Sequence, residues 1–283
     1  MVHLTDTSAT RFDWLNGDVR ALREDYARVR AKPTPPDART LRVGMVDVLV
    51  FPGHRAGNGA IVYFHGGGFI VGSPVTHADI AARVAHHTSL PVYSVDYRLA
   101  PEHKAPAPAE DGIAVIRHLV ERGVEQLAIC GDSAGGAIAL ATEASLPDDL
   151  RRHVRAVASF YGAHGLLDTA SLLARGSRVD GTDRGCVSRY FELAGPDAYT
   201  LEALAKPSLV PVYLLAAEDD ALRDDTLALA RAMEMQGRSV TVDRVAGVDH
   251  GFLHGGEKNA DAEAALARFE DWLWNVGHDR GSP

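Results

Sequence analysis

Apolar residues recur along this chain with two different periods, and the order of those periods predicts its architecture. In residues 11–31, Phe12, Leu15, Val19, Leu22, Tyr26 and Val29 alternate spacings of three and four, the stripe of an amphipathic helix. Lys32-Pro33 ends it, and Pro35-Pro36 stiffens the link that follows. The stripe needs an apolar partner, either the main body or a pocket that the helix covers as a lid. From residue 41 the pattern changes. Segments 41–43 and 46–50 read as strands, and short apolar runs follow at 60–64, 92–95, 127–130, 154–161, 212–217 and 240–245. Between and after them lie helical patterns near 77–88, 108–122, 134–146, 221–236 and 259–275. Apolar strands alternating with helices imply a parallel sheet covered on both faces, and an antiparallel start over 41–50 makes the sheet mixed.

One interval breaks the rhythm. After the run ending at Tyr161 the next strand begins only near Val210, too far for an ordinary connection. Leu166-Leu167, Leu172-Leu173, Tyr190-Phe191 and the segment 201–204 look helical within it. Residues 163–206 therefore read as an insertion over one end of the sheet. Ligands bind at the carboxyl ends of parallel strands, so 11–31 and 163–206 meeting there would form a cap.

The chain has 283 residues and carries 29 basic against 38 acidic side chains, a net charge of −9. One large α/β domain accommodates that length. The acidic balance offers no general attraction to phosphate backbones, so no nucleic-acid partner is expected. No apolar run reaches the roughly 18 residues of a membrane span. Asp6, Arg11 and Asp13 interrupt the start, where a secretory leader would need an apolar stretch. Cys130 and Cys186 are too few for a disulfide framework or a cysteine zinc site, and a cytoplasmic location is expected.

The chemistry begins at Gly131-Asp132-Ser133-Ala134-Gly135-Gly136, which follows an apolar strand and opens a helix of small residues. A G-x-S-x-G in a strand–turn–helix context is a nucleophile elbow: the turn strains the serine backbone, and glycines flank it because larger neighbours would clash. The bland alternative is a tight turn without chemistry. A second signal is His65-Gly66-Gly67-Gly68-Phe69, directly after another strand. Bare backbone N–H groups in such a loop can hold the oxyanion formed when a carbonyl is attacked. A flexible loop is its bland alternative.

A serine nucleophile needs a base, usually a histidine oriented by a carboxylate. Of thirteen histidines only His250, His254 and His278 follow the strand at 212–217. His250 sits in the glycine-flanked turn after 240–245 and is favoured, with His254 its rival and His278 in a polar tail. The acid belongs just past Ala217, where Glu218, Asp219, Asp220, Asp224 and Asp225 all qualify by spacing. His86-His87, in a helix, is too sparse for a metal site, and Cys130 reads as a packed hydrophobe. Trp272 and Trp274 read as core or as a homodimer surface.

His65-Gly66-Gly67-Gly68, Asp96-Tyr97-Arg98-Leu99-Ala100-Pro101-Glu102-His103, Gly131 to Gly136, Asp220-Ala221-Leu222-Arg223-Asp224 and His250-Gly251-Phe252 occur in this order. Together they resemble the bacterial hormone-sensitive-lipase-like esterases. The resemblance runs from about 41 to 275 and implies an α/β-hydrolase fold with a helical cap. It implies cap segments at 1–40 and 163–206 around a core of 41–162 and 207–283. It selects Asp220 as the acid, although Ala221 stands where the family usually has proline. It assigns the oxyanion hole to the N–H groups of Gly67, Gly68 and Ala134, and a structural role to the segment from Asp96 to His103. The implied activity is a serine carboxylesterase acting on short-chain acyl esters through Ser133, Asp220 and His250, without metal or organic cofactor. The alternatives are an N-acyl or amide hydrolase on the same triad, and a non-catalytic small-molecule receptor, which an intact His250 argues against.

Overall fold

The computed structural model of the protein describes residues 12–55, 57–255 and 259–278. Asp6 and Arg11, read above against a secretory leader, lie outside them. The core is an eight-stranded sheet in the order β1-β2-β4-β3-β5-β6-β7-β8. Its strands are β1 (Arg39–Val43), β2 (Val46–Phe51), β3 (Gly59–Phe64), β4 (Val92–Asp96), β5 (Gln126–Asp132), β6 (Val154–Phe160), β7 (Val212–Ala217) and β8 (Val240–Val245). β2 pairs antiparallel with both β1 and β4, and the remaining pairs are parallel. This is the expected mixed, mostly parallel sheet of an α/β-hydrolase fold.

Central strands such as β3 and β7 are unbroken in hydrophobicity because helices cover both faces of the sheet. Along β3, Ala60, Val62 and Phe64 point into one apolar cluster while Ile61 and Tyr63 point into the other. Helices α2 (Ala78–Thr88) and α10 (Ala260–His278) pack on the Ile61 side. Helices α3 (Ala107–Glu121), α4 (Ala134–Ser145) and α9 (Arg223–Met235) pack on the Phe64 side. A single turn, α5 (Asp148–Arg151), precedes β6. Among the described residues no helix is long and apolar enough to cross a membrane.

The N-terminal helix departs from the expected span. α1 covers Val19–Arg30, starting where the Asp18 carboxylate accepts from the Ala21 N–H at 3.0 Å. Phe12 and Trp14 precede it, Trp14 in a turn closed by the Gly17 N–H on the Asp13 carbonyl, and pack with Tyr26 as an aromatic group, while Leu15 and Val29 are exposed. The stripe is thus narrower than its periodicity suggested, because Asp18 caps the helix after Gly17. Arg23 anchors α1 by donating to the carbonyls of Ile70 and Ala100 and to Glu102.

Residues 163–206 fold as short helices: α6 (Ala170–Arg175), α7 (Arg184–Ala194), a 3₁₀ turn (Pro196–Tyr199) and α8 (Leu201–Leu204). Thr169 caps α6 and Asp183 caps α7. Leu166-Leu167, expected as helix, is irregular chain, because the Leu166 N–H is taken by the Asp225 carboxylate. The segment meets the N-terminus directly. The Trp14 indole donates to Asp180 at 2.9 Å, and Arg189 donates to the carbonyls of Trp14 and Gly17.

Candidate active site

β5 delivers Ser133 to the carboxyl edge of the sheet, and α4 begins one residue later. Ser133 holds φ 53° and ψ −123°, a conformation that a non-glycine residue keeps only under constraint from its surroundings. The constraint is visible: its N–H donates to the Phe160 carbonyl at 2.9 Å and its own carbonyl accepts from Ala163. Gly135 makes the turn fit. A Cβ there would lie 2.1 Å from the Phe64 carbonyl oxygen, so only glycine lets α4 approach β3 this closely.

The loop after β8 brings His250 over this serine. His250 Nε2 lies 2.9 Å from Ser133 Oγ, and His250 Nδ1 lies 2.8 Å from Asp220 Oδ2. The other Asp220 oxygen accepts from the Leu222 N–H at 2.8 Å, which fixes the carboxylate. Burial by itself would push the His250 imidazole down. The charge and hydrogen bond of Asp220, with the charges of Asp132 and Asp249, outweigh it and hold the imidazole above its ordinary 6.5.

The four other acids near β7 face elsewhere. Glu218 pairs with Arg244, and Asp219 pairs with Arg175. Asp224 accepts from the Ser171 N–H at 2.8 Å. Asp225 is buried and accepts from the His164 N–H, and burial pushes its carboxyl up to about 7. Of the five, Asp220 alone meets a histidine ring among the described residues. The rival His254 instead pairs with Asp79 at 3.3 Å, and the side chain of His278 lies outside the described residues.

The glycine loop forms the facing wall. Gly67 and Gly68 line the same cavity as Ser133 and His250. Gly67 adopts φ +119°, and a Cβ there would lie 2.3 Å from the Val71 carbonyl. Ala134 is buried and is the first residue of α4, so its N–H is among those with no acceptor in the helix's own ladder. Asp132 ties the two loops together: its Oδ1 accepts from Tyr63 OH at 2.5 Å and from the Gly66 N–H at 2.9 Å. The segment from Asp96 to His103 lies beside this loop, where Tyr97 OH donates to the His65 carbonyl and Arg98 pairs with Asp111.

Five contributors were not legible in the sequence. Tyr161 takes φ 39° just past β6 and sets its ring edge-on to His250, with centroids 5.2 Å apart. No motif marks it. Trp14 and Arg30 line the cavity from the N-terminal segment, and Asp180 and Thr182 from the stretch between α6 and α7. The cavity holds about 130 Å³.

With this geometry in view, the relatives are informative. The chain belongs to the α/β-hydrolase fold family, whose sequence profile matches residues 61–254. An acetyl esterase of Salmonella dublin is 28% identical, over 90% of this chain and 87% of that protein. The structure of an esterase from Pyrobaculum calidifontis superposes with a TM-score of 0.79 at 26% identity, covering 95% of this chain and 96% of the other. An esterase from the bacterial hormone-sensitive lipase family shares the fold at a TM-score of 0.84 and 24% identity, over 95% of this chain and 93% of its own. The likeness to hormone-sensitive-lipase-like esterases carried by the motifs is borne out.

Proposed function

We propose that this protein is a serine carboxylesterase that cleaves short-chain acyl esters through an acyl-enzyme. The observation that carries the reading is the unbroken Ser133–His250–Asp220 hydrogen-bond relay at a strained elbow. His250 Nε2 takes the Ser133 proton as Oγ attacks the ester carbonyl, forming the C–O bond of a tetrahedral adduct. The N–H groups of Gly67, Gly68 and Ala134 hold its oxyanion. The adduct expels the alkoxide, which leaves as the alcohol with the proton from His250. Water, deprotonated by His250, then attacks the acyl carbon and releases the acid and free Ser133. Asp220 keeps the imidazole in the right tautomer and stabilises the imidazolium. Base and oxyanion donors each supply about 10²–10⁴-fold in rate.

The cavity of about 130 Å³ is well below the roughly 300 Å³ of pockets built for drug-sized ligands, which supports small acyl groups. The relatives' acetyl esterase activity supports the same size. We assign 1–40 and 163–206 to a cap over a hydrolase core of 41–162 and 207–283; the contacts of Trp14 and Arg189 across the two cap segments support it. Two free, buried cysteines suit a cytoplasmic location. A homodimer belongs to the same proposal, and light scattering checks it.

The test is hydrolysis of p-nitrophenyl esters, acetate through dodecanoate, by the wild type and by Ser133→Ala. Activity should peak at short chains and fall at least about 10⁴-fold in the variant. A folded wild type without activity on any chain length would overturn the reading.

A further inference from the structure

We propose that His77, Asp132 and His254 form a binding site for a divalent transition cation of the zinc type, and that occupancy of this site inhibits the enzyme. The three residues come from α2's leading edge, the end of β5 and the loop after β8, and one ligating atom of each lies within 4.8 Å of the others. His77 and Asp132 are buried. His77 Nε2 and Asp132 Oδ2 face each other at 3.7 Å, too far for a hydrogen bond. In a tetrahedral zinc site with bonds of about 2.0–2.1 Å, ligand atoms lie about 3.4 Å apart. The first pair therefore already stands near ligand spacing. The remaining distances reach at most 4.8 Å, so His254 closes them with a shift of up to about 1.4 Å, from a loop bounded by Gly251 and Gly255.

The outer partners match what a metal site requires. His77 Nδ1 is engaged by Thr76 Oγ1 at 2.8 Å, and His254 Nδ1 by Asp79 Oδ1 at 3.3 Å. Each ring is thus oriented through one nitrogen and left with the other for a ligand. Asp132 Oδ1 is held by Tyr63 and Gly66, so its second oxygen is pinned toward His77. Imidazole and carboxylate together suit zinc and its neighbours rather than calcium or magnesium. Two carboxylates, Asp132 and Asp79, stand here, with the Arg30 guanidinium in the cavity wall and Arg83 donating to the Leu253 carbonyl.

Inhibition follows from position. Asp132 precedes Ser133, holds the Gly66 N–H of the glycine loop, and its charge helps stabilise protonated His250. A cation bound to Asp132 opposes the imidazolium of the transition state and narrows the cavity. The inhibitory half rests on the esterase reading; the binding half does not.

The experiment is equilibrium binding of zinc to the full, metal-stripped protein, by calorimetry and by competition with a chromophoric chelator. It includes Ser133→Ala, His77→Gln, His254→Gln and Asp79→Asn. One saturable zinc per chain is expected in the wild type and in Ser133→Ala. At least about tenfold weaker binding is expected in each of the other three. Cobalt(II) should give the visible bands of a four- or five-coordinate site in the wild type, and ester hydrolysis should fall with zinc and recover with chelator. Three results would each overturn the proposal: no saturable zinc binding, affinity unchanged in both histidine variants while they remain folded by circular dichroism, or only a six-coordinate cobalt spectrum. Binding without loss of hydrolysis would overturn the inhibitory half alone. Absence of ester hydrolysis by the metal-free protein, with zinc binding retained, would count against the esterase reading instead.

Discussion

His250 is held as a base whose charged form is favoured by Asp220, Asp132 and Asp249. The proposed base works only as neutral imidazole. A value above 6.5 therefore places the rise of kcat/KM with pH above 6.5, and protonation abolishes activity below it. Asp249 precedes His250 in the chain and pairs with Arg178 at 2.9 Å. Asp249→Asn removes one charge favouring imidazolium, so the acid limb should move to lower pH while the plateau is kept. A pH–rate profile on p-nitrophenyl acetate checks the direction. At this scale Ser133, Gly67, Gly68 and His250 were legible because tight turns demand particular residues. Asp220 was not separable from its four acidic neighbours by spacing. Only the positions of Arg175, Arg244, Ser171 and His164 show where those neighbours are used.

The elbow works because β5, α4 and β3 approach more closely than side chains allow. Gly135 faces the carbonyl oxygens of Phe64 and His65, which a Cβ would meet at 2.1 and 2.6 Å. Gly135→Ala should therefore cost at least about 1–3 kcal/mol of stability, as overpacking does, and should shift Ser133 away from His250. Urea unfolding reads the first effect and reaction with a fluorophosphonate the second; an unchanged variant would show that α4 can retreat freely. Strands and the longer helices from α2 onward were legible from their periods, with boundaries off by one to three residues. The pattern misled where a local polar partner decided the backbone. Asp18 delayed α1, and Asp225 held Leu166 out of a helix.

Across the whole molecule, two buried arrangements set stability. Arg238 and Glu143 form an ion pair at 3.0 Å with both side chains fully enclosed, joining α4 to the start of β8. Glu143 keeps Arg151 and Ser208 as further partners. Arg238→Ala should cost about 3 kcal/mol, the low end for breaking a buried pair, in a denaturant melt. The second is His164, buried with its ring against Ser159 and its N–H donating to Asp225 of α9, where burial holds its imidazole down to about 3. The unfolded chain takes up a proton near 6.5 and the folded chain does not. The contribution of neutral His164 is present above 6.5 and is lost as pH falls toward 3, by about 1.4 kcal/mol per pH unit. The stability gap between His164→Gln and the wild type should shift in the variant's favour between pH 7.5 and pH 5.

Periodicity and local steric demands written in neighbouring residues were enough for the mixed, mostly parallel sheet, the elbow, the glycine loop and the candidate base. Separating Asp220 from its acidic neighbours by physical contact rather than by resemblance, bringing Tyr161 and Trp14 to the cavity, and assembling His77, Asp132 and His254 depended on the tertiary structure. Those groups come from separate elements whose meeting is set by packing across the sheet edge, and chain spacing carries no record of that meeting.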